Sequence, residues 1–323
     1  MRLLSSGMVD VNCEGNYGHT PLYMAATSGR KDVTKLLLER GADPNKVDHE
    51  NYTPLHMTSA NGQRDVVRLL LEGGAGTDLQ SKYGRTALYH ATSNGHSEIV
   101  KMLLDRGADP DIANTENGDA PLHVAIAAIG CYVDVVKLLL DGGADLNKTN
   151  EEGKTPLYLA AYHNAEDVVR LLIDGGADLN EPAEDGDSPL HVATRKEHFD
   201  VVKLLLDGGA DLDRADKLGQ TPLHVASRWG LGDVVRLLIA AGADLNKAEG
   251  DGAVSLHKAA EHDYIGVVRM LLDGGAEVDV ADDLGRTPLS VAARLEHRDI
   301  VHLLTERGAE PDDGESDNEM DFG

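Results

Sequence analysis

Imidazoles beside carboxylates are the raw material of general acid–base catalysis and of zinc binding. This sequence has 14 histidines and 56 acidic residues. The spacing points elsewhere. His56, His123, His191, His224 and His257 all hold the fourth place of one recurring segment. A group repeated at one place is architecture, and the expected role is hydrogen bonding between neighbouring copies. No two histidines have His-Glu-x-x-His spacing. His163, His198 and His262 lack the cysteine or carboxylate pattern that specifies a metal. Asp141, Asp174, Asp207 and Asp273 recur at the ends of helical segments, where solvated carboxylates are ordinary. The recurring Gly-Gly-Ala is a helix stop, since no glycine-rich stretch runs into Gly-Lys-Ser/Thr. Catalytic residues, metal and cofactor are therefore all expected to be none.

What positions these residues is a repeat. Thr-Pro-Leu, or a variant, begins at Thr20, Thr53, Thr86, Ala120, Thr155, Ser188, Thr221, Val254 and Thr287. Successive separations are 33, 33, 34, 35, 33, 33, 33 and 33 residues. A second marker travels in phase: Gly-Ala at Gly41, Gly74, Gly107, Gly143, Gly176, Gly209, Gly242, Gly275 and Gly308.

One copy illustrates the local physics. Gly219 suits a turn that needs positive φ. The Thr221 hydroxyl can cap a helix, and Pro222 fits its first position, where a missing N–H costs nothing. Leu223, Val225 and Ala226 make a short, narrow helix. After a turn near Gly230, Asp233 opens a second helix whose apolar side is Val234, Val235, Leu237, Leu238 and Ile239. Gly242 closes it. A buried Leu or Val contributes roughly 1.5–3 kcal/mol, but only when a neighbouring copy covers it.

Composition agrees. Aromatics are 4% of the chain against 41% hydrophobic residues, so the core must be aliphatic and small. The formal net charge of −26 disfavours nucleic acid and anionic membrane surfaces. Cys13 and Cys131 form no disulfide or metal framework, which suits a reducing interior and predicts a cytoplasmic, or else nuclear, location. No segment approaches the ~20 apolar residues of a membrane helix.

The segment Thr221-Pro222-Leu223-His224-Val225-Ala226 resembles the ankyrin-repeat family in full. Thr53-Pro54-Leu55-His56 and Ala120-Pro121-Leu122-His123 resemble it closely. The resemblance implies an all-α repeat solenoid, each unit of about 33 residues being a β-hairpin finger plus two antiparallel helices. Residues 1–15 read as a partial N-terminal repeat containing Leu3 and Leu4. Nine repeats follow over 16–310, starting near 16, 49, 82, 115, 151, 184, 217, 250 and 283. Residues 311–323 read as a disordered acidic tail in which Ser316 resembles an acidophilic kinase site. Departures from the pattern are the missing prolines at Ala87 and Ser255, and Asn51 in place of a hairpin glycine, which Asn tolerates. One residue is added within Ala113–Asp119 and two within Ile126–Val133, the latter bringing Ile129, Cys131 and Tyr132.

The resemblance also implies a non-enzymatic scaffold or adaptor, monomeric, that holds a protein on a concave face of finger tips and first-helix ends. The alternative is a recruitment fragment of a larger protein, such as a ubiquitin-ligase substrate adaptor or a kinase or channel regulatory region. Along the face, Thr27, Ala60 and Ser93 give way to Tyr162, Arg195, Arg228, Glu261 and Arg294. The next column runs from Ser28, Asn61 and Asn94 to His163, Lys196, Trp229, His262 and Leu295. Tyr, Trp and Arg dominate interface energies, so Tyr162, His163, Arg195, Lys196, Arg228, Trp229, His262, Arg294 and Leu295 are the expected protein-binding residues. An acidic or phosphorylated segment is the expected ligand. Glu151, Glu152, Glu184, Asp185, Asp187 and Asp251 predict an acidic edge at the finger tips. Finally, Asn45, Asn147, Asn180 and Asn246 resemble the asparagines that an oxygen-sensing hydroxylase modifies in this family. Each follows a leucine by eight residues, and hydrogen bonding within the loop is reason enough for their presence.

Overall fold

The computed structural model describes residues 10–128 and 130–310. Leu3, Leu4, Ile129 and the whole of 311–323, with Ser316, lie outside them. Among the described residues there are eighteen α-helices and no strand. The chain divides into two compact units, one ending at Ala177 and the other beginning at Asp178.

The first unit holds five helix pairs: α1 (Pro21–Thr27) with α2 (Lys31–Glu39), α3 (Pro54–Ala60) with α4 (Arg64–Glu72), α5 (Ala87–Ser93) with α6 (Ser97–Leu104), α7 (Pro121–Ala127) with α8 (Val133–Asp141), and α9 (Pro156–Tyr162) with α10 (Glu166–Asp174). The second holds four: α11 (Pro189–Arg195) with α12 (Phe199–Asp207), α13 (Pro222–Arg228) with α14 (Gly232–Ala241), α15 (Ser255–Glu261) with α16 (Ile265–Asp273), and α17 (Pro288–Arg294) with α18 (Arg298–Glu306). Within each unit the first helices pack in one row and the second helices in another. Leu22, Leu55, Leu88, Leu122 and Leu157 form a fully buried column in the first unit, and Leu190, Leu223 and Leu256 continue the pattern in the second.

Each first helix starts as its residues dictate. The Thr221 hydroxyl accepts the His224 N–H at 3.4 Å, and His224 Nδ1 accepts the Thr221 N–H at 3.1 Å. This reciprocal cap satisfies two N–H groups that the first helical turn leaves over. Each second helix closes on glycine. Gly242 takes φ 93°, and the Ala243 N–H reaches back to the Leu238 carbonyl at 3.0 Å, an arrangement that spends the helix's last carbonyls.

The fingers are tight turns rather than paired strands. Asp216 accepts the Leu218 and Gln220 N–H groups through Oδ1, at 2.8 and 2.9 Å. Neighbouring fingers join through the main chain: Gly250 N–H to Leu218 O at 2.9 Å, and Asp283 N–H to Asp251 O at 3.0 Å. That approach requires glycine at 219, where φ is +82° and a Cβ would lie 2.6 Å from the Gly250 nitrogen. The residue added before Ala120 lengthens its finger, since Asn114 bonds Asp119, five places on, where Asp48 bonds Tyr52, four places on. Downstream, the Tyr132 ring packs on Gly95 just as His96 packs on Gly62. The extra length of that turn is thus accommodated before Tyr132, whose N–H reaches back seven places to the Ala125 carbonyl at 3.1 Å where the His96 N–H reaches back five places to Ala91.

Candidate protein-binding surface

Arg195, Arg228 and Arg294 are the last residues of α11, α13 and α17, and Lys196, Trp229 and Leu295 cap those helices; His262 caps α15. Cations there meet the negative end of the helix dipole, which gives the arginines a structural role as well. Their surroundings separate them. Arg195 donates to Asp187 Oδ1 at 2.8 Å and stands 3.8 Å from Asp216 Oδ2. Arg228 and Arg294 are exposed and make no ion pair among the described residues. Trp229 is 57% exposed, and Leu295 is also open to solvent. The His262 ring lies 6.2 Å from that of Tyr264. Tyr162 and His163 belong to the first unit, where they close α9 with rings edge to face at 5.1 Å.

One expectation is corrected. Asp187 does not belong to an acidic finger edge: it is 6% exposed and turned toward Arg195. Burial pushes its carboxyl above the ordinary aspartate range, while the guanidinium pulls it back. The cause is geometric, because its position at the finger base faces the helix end, whereas Glu184 and Asp185 at the tip remain exposed.

Sequence reading missed three features. Leu218 and Leu284 are 67% and 75% exposed at finger tips where other copies carry Asn117, Glu152, Asp185 and Asp251. The signal was available, as leucine is out of place beside a turn glycine. Second, Lys258 takes the place of buried Val225 and Val291 yet is itself only 9% exposed. Its ammonium pairs with Glu249, and Asp251 lies 3.9 Å away. Glu249 also accepts from Gln220 Nε2 at 2.7 Å. Burial raises the Glu249 carboxyl against the opposing pull of Lys258. A cavity of about 70 Å³ beside this pair is lined by His257, Glu261, Arg286 and Arg294. Third, the first unit carries an aromatic and methionine face. Tyr17 and Met24 are exposed there, and His90 lies 5.7 Å from the Tyr52 ring and 6.0 Å from the His56 ring. Burial pushes His90 down to about 4.

The histidines of the repeat are structural. The Nε2 atoms of His56, His123, His191, His224 and His257 meet main-chain carbonyls of Leu79, Lys154, Gln220, Ala253 and Arg286, at 2.8 to 3.2 Å. The asparagines are structural too. Asn45 Oδ1 accepts the Gly76 N–H at 2.8 Å, Asn180 Oδ1 that of Asp211 at 2.8 Å, and Asn246 Oδ1 that of Glu277 at 2.9 Å. Asn147 shares the local turn, with its N–H on Asp145 Oδ1 at 2.9 Å. Aspartates fill the same place elsewhere: Asp78, Asp111, Asp213 and Asp279 accept from Asp109, Asp145, Asp244 and Glu310. Asn12 begins the series by accepting from Asp43 at 2.8 Å. Among the described residues no group of His, Cys, Asp and Glu could hold a metal ion, and no helix is long and apolar enough to cross a membrane.

Paired helices joined by stacked turns define a repeat protein. The family description "Ankyrin repeats (3 copies)" matches residues 43–114, 106–183, 176–249 and 241–314, and "Ankyrin repeat" matches 17–49. The chain belongs to the ankyrin-repeat family, and it is a protein–protein interaction module.

Proposed function

We propose that this chain is a non-enzymatic adaptor of the cytoplasm or nucleus, acting as a single copy. In this reading the second unit binds an acidic or phosphorylated segment of a partner protein. The observation that carries it is the pair Arg228 and Arg294: exposed, without ion pairs among the described residues, and set beside exposed Trp229 and Leu295 on a molecule of net charge −26. Two unpaired cations on so acidic a molecule select carboxylates or phosphates, with Arg matching their geometry in a bidentate fashion. Trp229 and Leu295, with Leu218 and Leu284 on the fingers, supply apolar area for anchor residues between the charges. Arg195 plays a lesser part, because Asp187 already occupies it.

The test compares the wild type with Arg228→Ala/Trp229→Ala/Arg294→Ala against a panel of acidic and phosphorylated peptides, with circular dichroism as the control on folding. Binding that weakens at least about tenfold in the variant, and weakens with salt, is expected. Equal binding by both proteins sinks the assignment.

A further inference from the structure

The surface in the second unit asks for a segment with carboxylates spaced among apolar anchors, and the chain carries one. Residues 311–323 read Pro-Asp-Asp-Gly-Glu-Ser-Asp-Asn-Glu-Met-Asp-Phe-Gly: six carboxylates, no Lys or Arg, and the apolar pair Met320 and Phe322. We propose that this segment is an occupant of the surface formed by Arg228, Trp229, Arg294 and Leu295, and so competes in cis with any external partner. The proposal rests on the reading of that surface as an acidic-peptide site.

Three observations support it. The first is charge complementarity: Arg228 and Arg294 are exposed and make no ion pair among the described residues, with Glu261 in the equivalent place on the helix between them, and the segment carries only negative side-chain charges. The second is the point of departure. Glu310 is tied to the last repeat by its N–H on Asp279 Oδ1 at 3.2 Å, so the segment leaves from the repeat that contains Arg294 and Leu295. The third is reach. Packed helices lie roughly 10 Å apart, which puts α13 about 20 Å from α17. Thirteen residues span up to about 45 Å when extended. A tether this short holds its end at an effective concentration of about 1 mM, so even a contact with a Kd near 100 μM would be about nine-tenths closed.

Trp229 is the chain's single tryptophan and stands inside the proposed contact. The test uses the full chain and a full-length variant in which the six carboxylates become amides and Phe322 becomes Ser. The proposal expects Trp229 in the wild type to emit to the blue of the variant and to be quenched by acrylamide about half as efficiently, a difference that high salt erases. The synthetic peptide 311–323 should bind the variant about tenfold more tightly than the wild type, whose site is already filled. Arg228→Ala/Arg294→Ala should abolish both effects. Identical emission and quenching in the two proteins, with no binding of the peptide, would overturn the proposal. So would a difference that vanishes on dilution, which would make the occupant another copy's segment. If an external acidic peptide binds both proteins equally and in an Arg228-dependent way, the tail proposal falls while the adaptor reading stands.

Discussion

The imidazole of His224 joins two repeats: its Nδ1 accepts the Thr221 N–H within its own copy, and its Nε2 donates to the Ala253 carbonyl of the next, at 3.2 Å. Because a main-chain N–H points at Nδ1, the ring proton must sit on Nε2, and a second proton has no place to go. Burial pushes His224 down to about 4, with His56, His123, His191 and His257 lowered for the same reason.

A pH dependence follows, with a definite sign. Histidines that are neutral when folded and ordinary when unfolded take up protons on unfolding, so their contribution is complete above the unfolded value near 6.5. It is lost as pH falls from there toward 4, by at most about 1.4 kcal/mol per pH unit for each histidine. Urea midpoints measured at pH 7.5 and 5.5 should differ, the lower pH being the less stable. Equal midpoints would contradict the assigned tautomer.

Truncating the same ring removes both bonds. His224→Ala leaves the Thr221 N–H and the Ala253 carbonyl buried without this partner, at about 1–3 kcal/mol each. Denaturant unfolding should show a loss of several kcal/mol, and His224→Gln should recover only part of it.

Two glycines should respond differently to the same substitution. Gly209→Ala meets nothing within 4 Å, so only its φ of +87° is penalised, by about 1–2 kcal/mol. Gly219→Ala pays the same backbone cost and also drives a methyl against the Gly250 nitrogen, adding about 1–3 kcal/mol of strain. A smaller loss at 219 than at 209, by thermal or urea unfolding, would be inconsistent with finger stacking.

The buried Lys258–Glu249 pair is a third case. Lys258→Val restores the residue type of the neighbouring copies but strands a buried carboxylate, at about 3–5 kcal/mol. Adding Glu249→Gln removes the stranded charge while keeping an acceptor for Gln220, and should recover most of the loss. A double-mutant cycle with no coupling would show that the two side chains do not depend on each other.

The fold was legible because it is written many times over. Thr221, Pro222 and Gly242 each encode a local event, and their recurrence made each local reading count again. The binding surface was less legible because charge in a sequence carries no partner. Arg195 and Arg228 hold equivalent places, yet Asp187 neutralises one and not the other. Lys258 passed unnoticed for the same reason: a residue that contradicts its column becomes intelligible only once Glu249 is seen beside it.

The oxygen ladder linking Asn45 to Gly76, Asp78 to Asp109 and Asn246 to Glu277 uses one acceptor atom per repeat, but the asparagine rungs add a second bond: Asn45 Nδ2 donates to the Gly74 carbonyl at 3.3 Å and Asn246 Nδ2 to Glu277 Oε1 at 3.1 Å. Deamidation to aspartate, the ordinary chemical ageing of the residue, would keep the acceptor but lose that donor, and at 246 would set a carboxylate against Glu277. Each such event would also add a negative charge to the field around the molecule. These positions therefore age unevenly: the charge of the molecule drifts, and the rung at 246, where the amide faces an acid, loosens more than the one at 45, where it faces a carbonyl.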